Sequence, residues 1–362
     1  MTPIKVLYID DDLEEVRRIK TLLEASGSLY IDGRGPQHNI GENFDVNDLP
    51  DLFLIDYELS KPYGDNPPAQ YSGTTLSAAI RDVANSYPVV LLTKRSILDP
   101  GREQEHLDEL QLIDQLLFKD SLTDRERLNQ TVDLIVGLAK GYQILRQTAQ
   151  TEPTWDGLLM ILGALPEEAE LLRLANPPLF LQQQRSIWSP ARLAIWIRHV
   201  LIAYPGILYD PVYAATELRI SVESFLSKEV QALFIDAKYT GVFSQAEGRW
   251  WKQRLEKTAM EYVGGLDFAD RFAVVFKEKT SKDLDPSVSI VRNETPADTV
   301  CYIYHQPVMF EYTVAYRPDN RPPIMEPARV SFKAIQQSNE VQTGFLDGVD
   351  DDFLNQIREM EL

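Results

Sequence analysis

Short apolar runs divide the first 120 residues of the chain, and each run leads into a polar residue. Runs of this length are typical of strands that are buried on both faces, as in parallel sheets. The predicted strands are Lys5–Ile9, Leu29–Ile31, Asp51–Asp56, Pro88–Thr93 and Leu112–Phe118.

Apolar residues at helical spacing lie between these strands. The spacing predicts helices after Asp12, from Thr74 to about Asn85 and from about Glu103 to Leu110. Asp12 is a good N-cap residue for the first of them, because its carboxylate can accept hydrogen bonds from amides of the first turn. Strands that alternate with helices predict an α/β fold, a flavodoxin-like doubly wound parallel sheet of five strands.

The helical pattern that begins near Thr123 is longer than the others. Its apolar positions recur at spacings of three and four from Leu128 to Leu145 and continue towards Ala149. A helix of this length can couple the first part of the chain to the next part, or it can form the seam of a homodimer. The pattern does not choose between these two roles.

The pattern changes twice beyond a linker at residues 151–153. Helical spacing predicts a mainly helical region over residues 151–265, with helices at Trp155–Gly163, Pro166–Ala175, Pro190–Tyr204 and Ala246–Tyr262. Aromatic and β-branched runs predict a mainly β region over residues 266–362, with strands at Phe272–Phe276, Ser287–Val291, Thr299–Tyr304, Met309–Tyr316 and Arg329–Ala334, and a closing helix at Phe353–Met360. After a first domain at residues 1–150, these regions are either separate or one small α+β domain.

The composition describes an acidic chain without features of secretion. Its 362 residues are enough for two or three domains. A net charge of −19 disfavours non-specific binding to nucleic acid or to acidic membranes. Cys301 is the single cysteine, no signal-peptide pattern opens the chain, and no apolar run approaches the roughly 18 residues of a membrane span. We therefore expect a cytoplasmic protein without disulfides.

Charged and hydroxyl side chains follow four of the predicted strands. Asp10–Asp12 follow the first strand, Asp56 ends the third, Thr93 ends the fourth and Lys119 follows the fifth. The carboxyl ends of parallel strands are where open α/β sheets place their chemistry. Helix capping explains one of the three consecutive acids. Three together repel one another unless a cation lies beside them, and Mg²⁺ prefers such hard oxygen ligands.

These residues resemble the phosphoacceptor site of the response-regulator receiver family, over about residues 3–140. The resemblance implies that Asp56 accepts a phosphoryl group from the phosphohistidine of a histidine kinase or a phosphotransfer protein. The implied Mg²⁺ ligands are Asp10, Asp11, Asp56 and the backbone carbonyl of Glu58. The implied partners of the phosphoryl oxygens are Thr93 and Lys119.

Several positions depart from the pattern of that family. The loop at residues 57–71 is longer than usual, and it is either an element that a partner reads or a tolerated surface insertion. Lys94 replaces the small residue that usually follows the Thr, Leu116 replaces the switching aromatic residue, and Asp120 replaces the proline that follows the Lys. These changes put the aromatic switch and the cis peptide in doubt, but they leave the phosphate-accepting residues in place.

The rest of the chain shows no recognisable output motif. The sequence has no Gly-rich phosphate loop, metal-spaced His/Cys cluster or nucleophile elbow, so we expect no enzyme there. We expect a protein-binding output directed at a second regulator or an effector. One version is a phosphate sink, as in auxiliary receivers of atypical two-component systems, including some of bacterial antiphage (antiviral) defence.

The alternative output is a DNA-binding transcriptional regulator. It would use a weak helix-turn-helix pattern at residues 209–226. Residues 205–260 contain seven basic and seven acidic side chains, so they offer DNA no net attraction. The charge therefore favours protein binding over DNA binding.

Overall fold

The computed structural model describes residues 2–63, 67–94, 113–178, 181, 188–245, 248–318 and 325–360. The chain divides into two compact units. The first unit contains residues 1–162, 178–196 and 241–246. The second unit contains residues 163–177, 197–240 and 247–362. The predicted domain limits at residues 150 and 265 stay predictions.

The helices and strands of the first half follow one another in an alternating order. They are β1 (Ile4–Ile9), α1 (Leu13–Glu24), β2 (Leu29–Arg34), β3 (Leu52–Asp56), α2 (Gly73–Val83), β4 (Val89–Thr93), β5 (Gln115–Phe118), α3 (Arg125–Thr151), α4 (Trp155–Leu162), α5 (Ala169–Leu174) and α6 (Pro190–Trp196). The first five strands form one parallel sheet with the order β2-β1-β3-β4-β5. This is the flavodoxin-like order, so the predicted fold is confirmed.

The sheet is parallel and buried because its strands are apolar on both faces. All residues of β3 and β4 are buried, as parallel strands covered by helices must be. Asp12 caps α1 by accepting hydrogen bonds from the amides of Glu14 and Glu15, as predicted. The helix predicted from about Glu103 to Leu110 lies outside the described residues.

The long helix α3 begins where its pattern predicts and continues beyond Leu145. Its N-cap is Asp124, whose carboxylate accepts a hydrogen bond from the amide of Arg127 at 2.9 Å. One stripe of the helix is buried, including Ile135, Leu138, Tyr142 and Leu145. The prediction of a helix that runs towards residue 149 is therefore confirmed, and the helix ends two residues further on.

A buried polar cluster fastens α3 to the amino-terminal edge of the sheet. Asp114, just before β5, accepts hydrogen bonds from the phenol of Tyr142 at 2.6 Å and from the amide of Val89 at 2.7 Å. The guanidinium of Arg81, on α2, lies 2.5 Å from the same carboxylate. Burial raises the pKa of Tyr142 well above its ordinary value, and Asp114 raises it further, so the phenol is a permanent donor. Side chains from α2 and α3 and a backbone amide of β4 thus meet at one buried carboxylate.

The second half of the chain builds a helical core and a small sheet. Its elements are β6 (Leu208–Tyr209), α7 (Pro211–Glu217), α8 (Val222–Leu226), α9 (Lys228–Leu233), β7 (Trp250–Trp251), α10 (Lys252–Val263), α11 (Phe268–Thr280), β8 (Thr299–Cys301), β9 (Gln306–Val308), β10 (Thr313–Ala315), β11 (Arg329–Ser331), α12 (Phe332–Gln337) and α13 (Asp351–Glu359). Short 3₁₀ segments cover Ile40–Asn43, Lys119–Thr123, Pro166–Glu168, Ile235–Ala237, Phe310–Tyr312 and Thr343–Phe345, and a π-helical segment covers Ile197–Ile202. The small sheet has the order β10-β11-β8-β9, with β11 and β8 parallel and the outer pairs antiparallel.

The sequence-based predictions of secondary structure are wrong at two aromatic segments of this half. The predicted strand Phe272–Phe276 is part of the helix α11, whose buried residues include Phe268, Phe272, Val275 and Phe276. That spacing is helical, and the aromatic and β-branched composition masked it. Trp250–Trp251, predicted inside a helix, form the strand β7 paired with β6. The helix begins only at Lys252.

The predicted β region also contains less strand than expected. Ser287–Val291 forms no strand, and of Met309–Tyr316 only Thr313–Ala315 does. The hydroxyl of Ser287 instead donates a hydrogen bond to the carbonyl of Ala297, and the hydroxyl oxygen of Ser289 accepts one from the amide of Val291. Among the residues that the structure describes, no helix is both long enough and apolar enough to cross a membrane.

We predict that Tyr142→Phe lowers the free energy of unfolding by about 1–3 kcal/mol, because a buried carboxylate loses one of its hydrogen-bond donors. Urea unfolding of the full chain measures the change. Tyr30→Phe is the matched control, since Tyr30 is 52% exposed and should tolerate the loss of its hydroxyl. Equal free energies for the two variants would contradict the role given to the Asp114 cluster.

Candidate functional site

The carboxyl ends of four neighbouring strands form the candidate site. Because β1 pairs with β3, β3 with β4 and β4 with β5, these ends share one edge of the sheet. Asp10 follows β1, Asp56 ends β3, Thr93 ends β4 and Lys119 follows β5. All four residues are buried. The structure therefore brings the predicted side chains to the same edge.

Three carboxylates cluster there. Asp10, Asp11 and Asp56 each offer one oxygen, and these oxygens all lie within 4.8 Å of one another. Within the described ranges of the chain, no other group of three acidic, histidine or cysteine residues has this spacing. Mg²⁺ takes hard oxygen ligands and keeps several of its waters, so this donor set fits it. A cleft of about 30 Å³ opens beside the carboxylates.

Lys119 supplies the buried positive charge of the site. Its Nζ lies 2.7 Å from Oδ2 of Asp10 and 2.8 Å from Oδ1 of Asp56. Burial opposes the charged form of Lys119, but Asp10 and Asp56 outweigh this effect and raise its pKa. The ammonium therefore stays protonated and holds the two carboxylates on either side of it.

Tyr8 is a site residue that the sequence did not single out. Its phenol donates a hydrogen bond to Oδ2 of Asp10, and the amide of Asp12 donates one to Oδ1 at 2.8 Å. Burial raises the pKa of Tyr8 strongly, and Asp10 adds to the effect, so the phenol remains a donor. The available signal was a tyrosine inside an otherwise apolar strand, because a buried phenol needs a hydrogen-bond partner.

The carboxyl group of Asp56 has a pKa well above its ordinary value. Burial and the nearby charge of Asp10 raise its pKa to about 7, and Lys119 only partly opposes them. Burial also raises the pKa of Asp11, against the hydrogen bond that it accepts from the amide of Lys61. The three carboxylates carry more negative charge than Lys119 neutralises, which favours binding of a cation.

Gly73 allows the helix α2 to begin close to the end of the strand β3. A Cβ atom at this position would lie 2.0 Å from the backbone oxygen of Asp56. The amide of Gly73 donates a hydrogen bond to the carbonyl of Tyr57 at 2.9 Å. Only glycine permits this approach without displacing the backbone at Asp56.

Further side chains line the cleft around the carboxylates. Lys61 and Glu58 come from the loop after β3, and Lys94 comes from the end of β4. Glu58 is exposed, and the metal-binding role of its carbonyl stays a prediction. The buried hydroxyl of Thr93 lies 3.4 Å from the carbonyl oxygen of Lys94, and its contact with a phosphoryl group also stays a prediction.

We predict that the metal-free protein loses stability as the pH rises from about 4 to about 7. The pKa of Asp56 is about 7 in the folded chain against an ordinary value of 3.8, so in this window the folded state keeps a proton that the unfolded state has released. The stabilisation that comes from this retained proton is fully present below about pH 4, and it is lost as the pH rises through about 7.

Urea unfolding in EDTA at pH 5 and pH 7.5 checks this prediction. Asp56→Asn should lose less stability between the two pH values than the parent chain. Asp133→Asn, at an exposed position of α3, should behave like the parent. A decrease in Asp56→Asn as large as that of the parent would contradict the assignment.

Comparison with known proteins finds similar folds among solved structures only; no family model and no curated protein matches the chain. The signal receiver domain of the putative response regulator NarL from Mycobacterium tuberculosis is 22% identical, with 39% of this chain and 99% of that chain covered and a TM-score of 0.30. The isolated REC domain of RcsB from Salmonella enterica serovar Typhimurium, in the presence of phosphomimetic BeF3−, is 22% identical, with coverages of 36% and 87% and a TM-score of 0.28. The Francisella response regulator 1452 receiver domain is 24% identical, with coverages of 37% and 96% and a TM-score of 0.27.

The first part of the chain has a receiver fold, as its strand order and the residues at the ends of β1, β3, β4 and β5 indicate. The similar receiver domains cover about 40% of the chain at most, and the rest has no recognised counterpart.

Proposed function

We propose that the first part of the chain is the receiver of a two-component response regulator and that Asp56 accepts a phosphoryl group. The observation that carries the proposal is the meeting of Asp10, Asp11 and Asp56 with Lys119 at the carboxyl edge of the sheet. The donor would be the phosphohistidine of a histidine kinase or a phosphotransfer protein. The proposed magnesium ligands are Asp10, Asp11, Asp56 and the carbonyl of Glu58.

The transfer would join an oxygen of Asp56 to phosphorus while the phosphorus–nitrogen bond of the donor breaks. The electron pair of that bond remains on the imidazole, which takes up a proton. Lys119 holds Oδ1 of Asp56 at 2.8 Å, which leaves the second carboxylate oxygen to attack. Bound Mg²⁺ would neutralise charge that develops on the phosphoryl oxygens. Once Asp56 carries the phosphoryl group as an acyl phosphate, the ammonium of Lys119 and the hydroxyl of Thr93 would pair with the phosphoryl oxygens.

We predict that Asp56→Asn abolishes phosphoryl incorporation from a small phosphodonor such as phosphoramidate in the presence of Mg²⁺. The amide has no nucleophilic carboxylate oxygen, so no acyl phosphate can form. Intact-protein mass spectrometry measures the added phosphoryl mass. Asp133→Asn should incorporate as much as the parent chain, and undiminished incorporation by Asp56→Asn would rule out Asp56 as the acceptor.

For the output, we propose that the second unit binds another protein, either a second regulator or an effector. Its surface offers no excess of positive charge, since residues 205–260 hold equal numbers of basic and acidic side chains. A phosphate sink, which draws phosphoryl groups from a kinase and withholds them from another regulator, is one form of this output. The long helix α3 is the proposed connection, because it is one continuous helix to Thr151, beyond the residues that resemble the receiver family.

One geometric observation supports the DNA-binding alternative, and three oppose it. Arg219, in the turn between α7 and α8, adopts a left-handed φ of 55°, a conformation that glycine usually supplies in a helix-turn-helix. However, α8 contains only five residues, and the buried side chain of Phe225 belongs to the core of the unit. Arg219 is itself paired with Asp270. These features favour a core hairpin over a helix that reads bases.

We predict that the full chain retains a protein partner from its source cells according to the state of Asp56 and retains no specific DNA. Affinity capture with the parent chain and with Asp56→Asn, followed by mass spectrometry and by sequencing of bound nucleic acid, measures both. A kinase or effector recovered differently with the two chains supports the proposal. Sequence-selective DNA that is released by salt would overturn it in favour of transcriptional regulation.

A further inference from the structure

The loop that follows the acceptor strand reaches back to the acidic pair at the end of β1. The backbone amide of Lys61 donates a hydrogen bond to Oδ2 of Asp11 at 2.5 Å, across fifty positions of sequence. This contact joins the lengthened loop at residues 57–71 to one of the proposed magnesium ligands. The contact uses the backbone, so it is independent of the side chain at position 61.

Contacts outside the acidic cluster hold this part of the loop in place. Leu59 is 1% exposed and packs in the apolar core on one face of the sheet. The amide of Tyr57 donates a hydrogen bond to the carbonyl of Leu92 at 3.0 Å. The ring of Tyr63 fills the space above Gly35, where a Cβ would lie 2.1 Å from the ring. The amide of Lys61 is therefore anchored on both sides, at Leu59 and at Tyr63.

The side chain of Lys61 contributes much less than its amide. Its Nζ lies 3.7 Å from Oδ2 of Asp12, and the side chains of Lys61 and Asp12 are 60% and 35% exposed. An exposed ion pair at this distance contributes little to stability because solvent screens it. Substitution of the side chain and removal of the amide should therefore have different effects.

We propose that the backbone amide of Lys61 is a positioning group that sets the affinity of the site for Mg²⁺. It fixes the carboxylate of Asp11 through Oδ2, and a carboxylate so held can offer its other oxygen to the cation. Carboxylates that bind metals are commonly oriented by such hydrogen bonds, and their loss lowers metal affinity by roughly 10–100-fold. The inference rests on the magnesium site of the proposed function and gives the lengthened loop a role in it.

Calorimetric titration of the full chain with Mg²⁺ tests the proposal in three forms of the protein. Lys61→Ala keeps the amide and removes the ammonium, so its dissociation constant should stay within about three-fold of the parent value. Lys61→Pro removes the amide as well, and its dissociation constant should be at least about ten-fold higher than that of Lys61→Ala. Equal affinities in the two variants would overturn the positioning role. A parent chain that binds no Mg²⁺ would instead overturn the magnesium site itself.

Hydrogen exchange provides a second measurement that needs no substitution and serves if Lys61→Pro does not fold. The segment 57–63 of the parent chain is followed by mass spectrometry with and without Mg²⁺. Protection of the Lys61 amide in the metal-free protein that persists or grows with Mg²⁺ supports the proposal. Loss of that protection on adding Mg²⁺ would show that the hydrogen bond competes with the metal, and it would overturn the positioning role.

Discussion

The metal-free site depends on the ion pairs that Lys119 makes with Asp10 and Asp56. Burying a charged group costs several kcal/mol unless a close partner compensates it, and here one ammonium lies within 2.8 Å of two carboxylates. These contacts tie the ends of β1, β3 and β5 together at the carboxyl edge of the sheet. Lys119 does not pair with Asp11, so the three clustered carboxylates together favour binding of a cation.

At the amino-terminal edge of the sheet, the buried carboxylate of Asp114 connects the neighbouring elements. Asp114 is fully engaged by donors from Tyr142, Arg81 and the amide of Val89, so it is a structural group rather than a reactive one. This cluster holds the middle of α3 against the sheet. Through Asp114, α3 is therefore fixed to the beginnings of β4 and β5.

The interior of the second unit is mainly apolar and aromatic. Phe225, Phe234, Phe272 and Trp250 pack together in its helical core, with ring centroids 4.8–6.1 Å apart. Side chains committed to such a core contribute stability and shape, and they do not identify a ligand. The aromatic core therefore explains the stability of this unit and leaves its ligand unassigned.

The receiver fold, and the polar residues that meet at the carboxyl ends of its strands, could be predicted from the sequence. Buried parallel strands appear as unbroken apolar runs, and Asp10, Asp56 and Lys119 stand directly at the ends of such runs, where strand order brings them together. Only the tertiary structure reveals the hydrogen bond between the Lys61 amide and Asp11. Every residue except proline carries the same amide, so no side-chain type in the sequence indicates this contact. The tertiary structure also decided that Trp250–Trp251 form a strand and that Phe272 lies in a helix, because aromatic residues suit both structures until their burial partners are known.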